Sequence, residues 1–76
     1  MKDEYLTIPE IAEQTNIPKH SLYYEAKMGR LKSAHKKAGT RYYHIHDINT
    51  FLTHYTYFTH PTPVQVKPVD RPYKPQ

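Results

Sequence analysis

Apolar positions along the chain form three stripes at helical spacing, separated by one stretch in which the period drops to two. The first stripe comes just after Leu6: Ile8, Ile11, Ala12 and the small polar Thr15 are related by steps of three and four, the spacing that aligns side chains on one helix face. Thr7-Ile8-Pro9-Glu10 starts it: the threonine can cap free amides, the glutamate can reach back to the cap, and proline is tolerated only in a first turn. The helix is predicted to end near Thr15 or Asn16. Asn16-Ile17-Pro18 reads as a tight connection with Ile17 turned inward, so the next helix must cross the first steeply. That second helix, from about Lys19 to Met28, is predicted to bury Leu22, Ala26 and one side of Tyr23 or Met28. It stops at Gly29, where a left-handed cap costs least.

Between Arg30 and His35 the pattern alternates, Lys36 to Thr40 supplies a glycine-containing turn, and Arg41 to Ile45 suits a half-buried second strand, so a hairpin is predicted here. Tyr42 and Tyr43 point to opposite faces of that strand, and one of them belongs to the core. Asp47 is placed to cap a third helix carrying Ile48, Phe51, Leu52 and Tyr55, which can run to Phe58 or Thr59 but not comfortably past Pro61. Tyr55, Tyr57 and Phe58 exceed what so small a core needs, which marks them for contact with another chain. Residues 61–76, rich in proline and valine, read as an extended tail. The expected architecture is mainly α with a small β-hairpin, residues 1–60 forming one domain and 61–76 an extended Pro-rich tail.

Charge sharpens this picture. Of the formal net charge of +4, the bias sits between Lys19 and Arg41, where seven lysines and arginines face one acid, Glu25. Residues 1–18 carry Lys2 against Asp3, Glu4, Glu10 and Glu13, and the remainder is nearly balanced. A concentrated basic region of this kind points to a polyanionic partner. The second helix offers Lys19, His20, Ser21, Tyr24 and Lys27 on its open face, and Arg30, Lys36, Lys37 and Arg41 surround the hairpin.

Other chemistries find little support. The chain has no cysteine and hence neither a disulfide framework nor a thiolate metal site. His44-x-His46 puts two imidazoles on one expected strand face, but no third ligand is fixed, and no metal or other cofactor is expected. There is no phosphate-cradling glycine loop, no nucleophile elbow and no paired carboxylate constellation, so no enzyme is expected. The apolar runs are only a few residues long, and neither a membrane span nor a secretory signal is apparent. A soluble cytoplasmic protein is expected.

From Tyr5 to Leu52, about two thirds of the chain, the residues resemble the winged helix-turn-helix domain shared by the mercury-resistance regulator superfamily and the small excisionase-type DNA-binding proteins of phages and mobile elements. The opening helix of that family is matched by Leu6-Thr7-Ile8-Pro9-Glu10-Ile11-Ala12 and its recognition helix by Leu22-Tyr23-Tyr24-Glu25 through Gly29-Arg30-Leu31. Its wing is matched by Gly39-Thr40-Arg41-Tyr42-Tyr43 and its closing helix by Asp47-Ile48-Asn49-Thr50-Phe51-Leu52. Two positions depart from the pattern. Pro18 stands where a serine or threonine cap is common, and Glu25 occupies a slot often held by tryptophan or tyrosine. Glu25 either points away, pairs near Lys27 or Arg30, or reads a cytosine amine in the groove. The regulator branch appends a coiled coil and an effector domain that have no counterpart here, so metal or drug sensing is not expected.

The resemblance implies docking on double-stranded DNA. The second helix would enter the major groove, Tyr23 would touch backbone, and Arg41 and Tyr43 at the wing base would meet phosphate or the minor groove. Neutralising about five or six phosphates would give a log–log salt slope of roughly −5. A lone winged domain buries little DNA, so cooperative self-association or a homodimer is expected, through Tyr55, Tyr57 and Phe58 or through acidic Glu10 and Glu13 against a neighbour's basic face. The rival reading is a protein–protein adaptor that recruits a recombinase, a terminase or another DNA-processing partner.

Overall fold

A computed structural model of the chain describes residues 2–55 and 65–70. Two short strands, β1 (Lys2–Asp3) and β2 (Tyr5–Leu6), lead into helix α1 (Ile8–Thr15), which Thr7 and Glu10 open with a capping box. The Glu10 carboxylate accepts from the Thr7 N–H at 2.9 Å. Asn16 ends α1 in the left-handed region, φ 62°, and Ile17 turns inward to 1% exposure, as the tight connection required. Helix α2 (Lys19–Lys27) follows directly after Pro18 and carries no side-chain cap at its start. It closes in a Schellman arrangement: the Gly29 N–H reaches Ala26 O at 3.1 Å, the Arg30 N–H reaches Glu25 O at 3.0 Å, and Gly29 sits at φ 84°.

The hairpin is formed by β3 (His35–Lys37) and β4 (Thr40–His44), and helix α3 (Ile45–His54) leaves β4 without a loop. The connecting turn is Ala38-Gly39, both at positive φ (51° and 81°), the backbone of a two-residue turn that matches strand twist. Antiparallel pairing puts β4 between β2 and β3, with Leu6 opposite Tyr43, Tyr5 opposite His44, His35 opposite Tyr42 and Lys36 opposite Arg41. Leu6, Ile8, Ile11, Ile17, Leu22, Leu31, Tyr43, Ile48, Leu52 and Val66 make the core, so three helices close over one face of a three-stranded sheet. No helix among the described residues is long and apolar enough to cross a membrane.

Five expectations change. The first hairpin strand is only three residues long and begins at His35, because Leu31 is drawn into the core and Arg30 is held by the end of α2. Lys36 and Lys37 therefore lie on β3 and not at the turn. Ile45 opens α3 instead of ending the strand, and the cap is His44, whose Nδ1 accepts the His46 N–H at 3.1 Å, instead of Asp47, which falls in the first turn. With His44 used in this way and His46 inside a helix, the two imidazoles do not share a strand face. The third helix ends at His54, and Tyr57 and Phe58 lie outside the described residues.

The expected free tail is the fifth difference. Val66 is 3% exposed, and β5 (Val69–Asp70) pairs antiparallel with β1. The Gln14 carboxamide takes both peptide groups of Lys67, accepting from N–H at 2.7 Å and donating to the carbonyl at 3.0 Å. Asn49 does the same to Val66, at 2.8 and 3.5 Å. Proline and valine spacing showed the extended backbone but not that α1 and α3 leave a slot for it. Burying Val66 alone is worth about 1.5–3 kcal/mol. Truncation after His60 is accordingly expected to lower the urea midpoint, measured by circular dichroism, by an amount equal to about 2 kcal/mol or more. An unchanged midpoint would show that residues 65–70 add nothing to the fold.

Candidate functional site

One open groove, about 750 Å³ in volume, runs between the start of α1, the exposed side of α2 and the hairpin. Tyr23 and Lys27 of α2 form one wall, and Lys36 and Arg41 of the hairpin form the other, with Thr7, Pro9 and Thr40 at its rim. Among the described residues no acidic side chain lines it. The strand register explains the second wall: Lys36 and Arg41 are directly opposed across β3 and β4 and so project to the same face. Two like charges held opposite each other repel, a cost that an anion placed between them would relieve. The helical wall follows from α2 burying Leu22, which turns Tyr23, 54% exposed, and Lys27 outward along the same side.

Of the other predicted contacts, Tyr43 also lines this groove, and Lys19, His20, Ser21 and Lys37 do not. Lys19 and His20 are exposed in the first turn of α2 and Ser21 is partly so, next to backbone amides that Pro18 leaves without a side-chain cap. Helix starts of that kind favour negative charge. Lys37 flanks the turn on the opposite face of the hairpin from Lys36. Tyr43 is not an exposed contact: at 1% exposure it is the core member of the tyrosine pair, packed opposite Leu6, and burial pushes its hydroxyl pKa up against the opposing effect of nearby Arg41. Tyr42 takes the outer face.

Arg30 and Tyr24 lie elsewhere. Arg30 makes a two-pronged ion pair with Glu25, through Nε and Oε1 and through Nη2 and Oε2 at 3.1 Å, and its guanidinium sits 5.7 Å from the Tyr24 ring centre. Of the readings open for Glu25, the pairing with Arg30 is the one observed. Glu25 and Arg30 line a second groove, about 680 Å³, with Lys32, with Phe51 and His54 of α3 and with Tyr55 just after it. Tyr55 is partly buried and its ring lies 5.0 Å from that of Phe51. Among the acids expected at a self-association surface, Glu10 is taken up by the α1 cap while Glu13 is exposed.

Sequence reasoning missed the outer face of the sheet, where Tyr5 lies 4.9 Å from His35 and 5.0 Å from His44, and His35 stacks on Tyr42 at 5.2 Å. His44 Nε2 also faces Glu4 Oε1 at 3.4 Å. The alternation His35-x-Lys37 and Tyr42-x-His44 held the signal, but β2, which supplies Tyr5, is too short to show a period. No cluster of three or more histidines, aspartates or glutamates suited to a metal occurs among the described residues.

Compared with protein-family models, with curated proteins and with solved structures, the chain matches none of them. Its likeness to the excisionase-type domain therefore rests on its own residues.

Arg30 beside Glu25 holds that carboxyl below the ordinary glutamate range. A depressed folded-state pKa adds stability above the unfolded value that disappears as pH falls through the folded one. Glu25→Gln is expected to remove this part of the acid dependence: the stability of wild type and variant should converge as pH drops below the usual glutamate range and diverge above it. Chemical unfolding at a series of pH values checks this, and parallel curves would contradict it. Since Arg30 is half exposed, the gap should be small.

Proposed function

We propose that the chain is a small double-stranded DNA-binding protein of the excisionase or transcriptional-regulator type, with a winged helix-turn-helix fold in which α2 is the recognition helix and the β3–β4 hairpin is the wing. The observation that carries this reading is the convergence of Lys27, Lys36 and Arg41 on one acid-free groove beside the exposed face of α2. Its support in the chain is the order of elements: two helices in close succession, a hairpin with a tight turn, and a closing helix over a shared core.

In this reading Lys27, Lys36 and Arg41 hold one run of phosphates in the groove, and Lys37 meets the backbone beyond the hairpin tip. The uncapped start of α2, with Lys19, His20 and Ser21, takes a further phosphate at amides already oriented for an anion. Tyr23 contacts the sugar–phosphate backbone at the groove wall. Base reading falls to the exposed α2 side chains, of which Tyr24 is 54% exposed. Arg30 drops out of the phosphate count because Glu25 neutralises it. No catalytic role and no cofactor belong to this proposal.

Five cations then remain, Lys19, Lys27, Lys36, Lys37 and Arg41, for a log–log salt slope of about −4.5 if each meets one phosphate. Fluorescence anisotropy against the DNA upstream of its own coding sequence and against unrelated duplex of equal length is expected to show this slope. Arg41→Ala should weaken both complexes alike and reduce the slope by about one, because a phosphate contact carries no sequence information. Absence of binding to either duplex at low salt would overturn the proposal in favour of a protein adaptor.

A further inference from the structure

The grip on residues 65–70 differs in kind from the packing elsewhere in the core. Two carboxamides, Gln14 on α1 and Asn49 on α3, each engage both the N–H and the carbonyl of one residue, Lys67 and Val66 respectively. A side-chain amide that pairs this way imitates a neighbouring strand and recognises backbone regardless of the side chain attached. Between them a single apolar residue, Val66, is buried among the core side chains. Three residues further on, Val69 and Asp70 add to the edge of β1, with Asp3 opposite Val69 and Lys2 opposite Asp70. Backbone hydrogen bonds for affinity, one side-chain pocket for register and strand addition at an edge are the components of a site that binds an extended peptide.

We infer that this slot is a peptide-recognition site whose occupant passes between copies: in the dimer, residues 65–70 of one chain lie on Gln14, Asn49 and β1 of a second copy, and the exchange is reciprocal. The occupant is identified by what is seated there, since an identical segment satisfies identical contacts in either chain and the exchange loses none of them. Nine residues separate Tyr55 from Gln65, a length that spans up to about 30 Å when extended, enough to reach a neighbouring domain as well as its own. The hold within one chain is confined to one short segment, one buried valine, four carboxamide hydrogen bonds and a two-residue strand pair, few enough contacts to open without global unfolding. Reciprocal exchange closes into a twofold dimer in which both slots are filled. This inference is independent of the DNA-binding reading.

The chain contains no cysteine, which makes the test clean. Full-length Gln14→Cys and Lys67→Cys are mixed in equal amounts at high concentration without DNA and mildly oxidised. The expected product is a disulfide-linked heterodimer joined through positions 14 and 67, identified by peptide mass mapping. It should form in several-fold excess over the link made when Thr53→Cys, on an exposed part of α3, replaces the Gln14 variant. Light scattering on the wild-type chain should rise with concentration from the 9.0 kDa monomer mass toward twice that value. Exchange is overturned if the mixture links no better than the Thr53 control while a Gln14→Cys/Lys67→Cys double variant closes readily within one chain. Since both arms are read without DNA, a failed DNA titration leaves the result unaffected.

Discussion

The register of β4 is the constraint on which the rest depends. This strand is paired on both edges, and its alternation sends Tyr43 into the core opposite Leu6 while Arg41, two residues earlier on the same face, emerges beside Lys36 at the groove. A slip by one residue would bury Tyr42 in place of Tyr43 and carry Arg41 to the far side of the sheet. The turn at Ala38-Gly39 pins the register at one end, and His44 pins it at the other by stopping the strand and capping α3 in the same step. Ala38 at φ 51° shows that turn geometry outweighs local preference here, since a non-glycine residue in the left-handed region carries a cost of about 1–2 kcal/mol.

Charge is distributed by the same frame. Lys27 and the Lys36–Arg41 pair face each other because α2 packs through Leu22 against the core to which β4 contributes Tyr43. Arg30, only three residues after Lys27, is removed from that field by the Schellman turn, which redirects the chain and sets its guanidinium on Glu25. The basic region read from sequence thus splits into a groove with open cations and a separate surface on which Arg30 is already paired with Glu25.

Much of the fold was legible from local rules. The capping box at Thr7 and Glu10, the stop at Gly29 and the stripes of α1 and α3 carry their own signals and are seen where expected, whereas on α2 Leu22 and Ala26 pack inward but Tyr23 and Met28, of which one was expected to turn a side to the core, are both exposed. What stayed hidden depends on partners distant in sequence. Tyr42 and Tyr43 cannot be assigned to faces until Leu6 fixes the register, and two-residue strands such as β1 and β5 have no period to detect. The burial of Val66 needs Gln14 and Asn49, which are 52 and 17 residues away and read as ordinary surface polar side chains on their helices. Likewise the groove residues Lys27, Lys36 and Arg41 were each visible as cations, but their convergence follows only from the packing of α2 against the sheet.

In the proposed function DNA lies in the groove between α2 and the hairpin, where Lys27, Lys36 and Arg41 converge. Amide chemical-shift mapping of the isotope-labelled chain during titration with a short duplex tests this placement. The predicted result is perturbation concentrated at Lys19, Tyr23, Lys27, Lys36 and Arg41, with Tyr5, His35, Tyr42 and His44 on the outer sheet face left unchanged. Shifts confined to that outer face, with the groove residues silent, would contradict it.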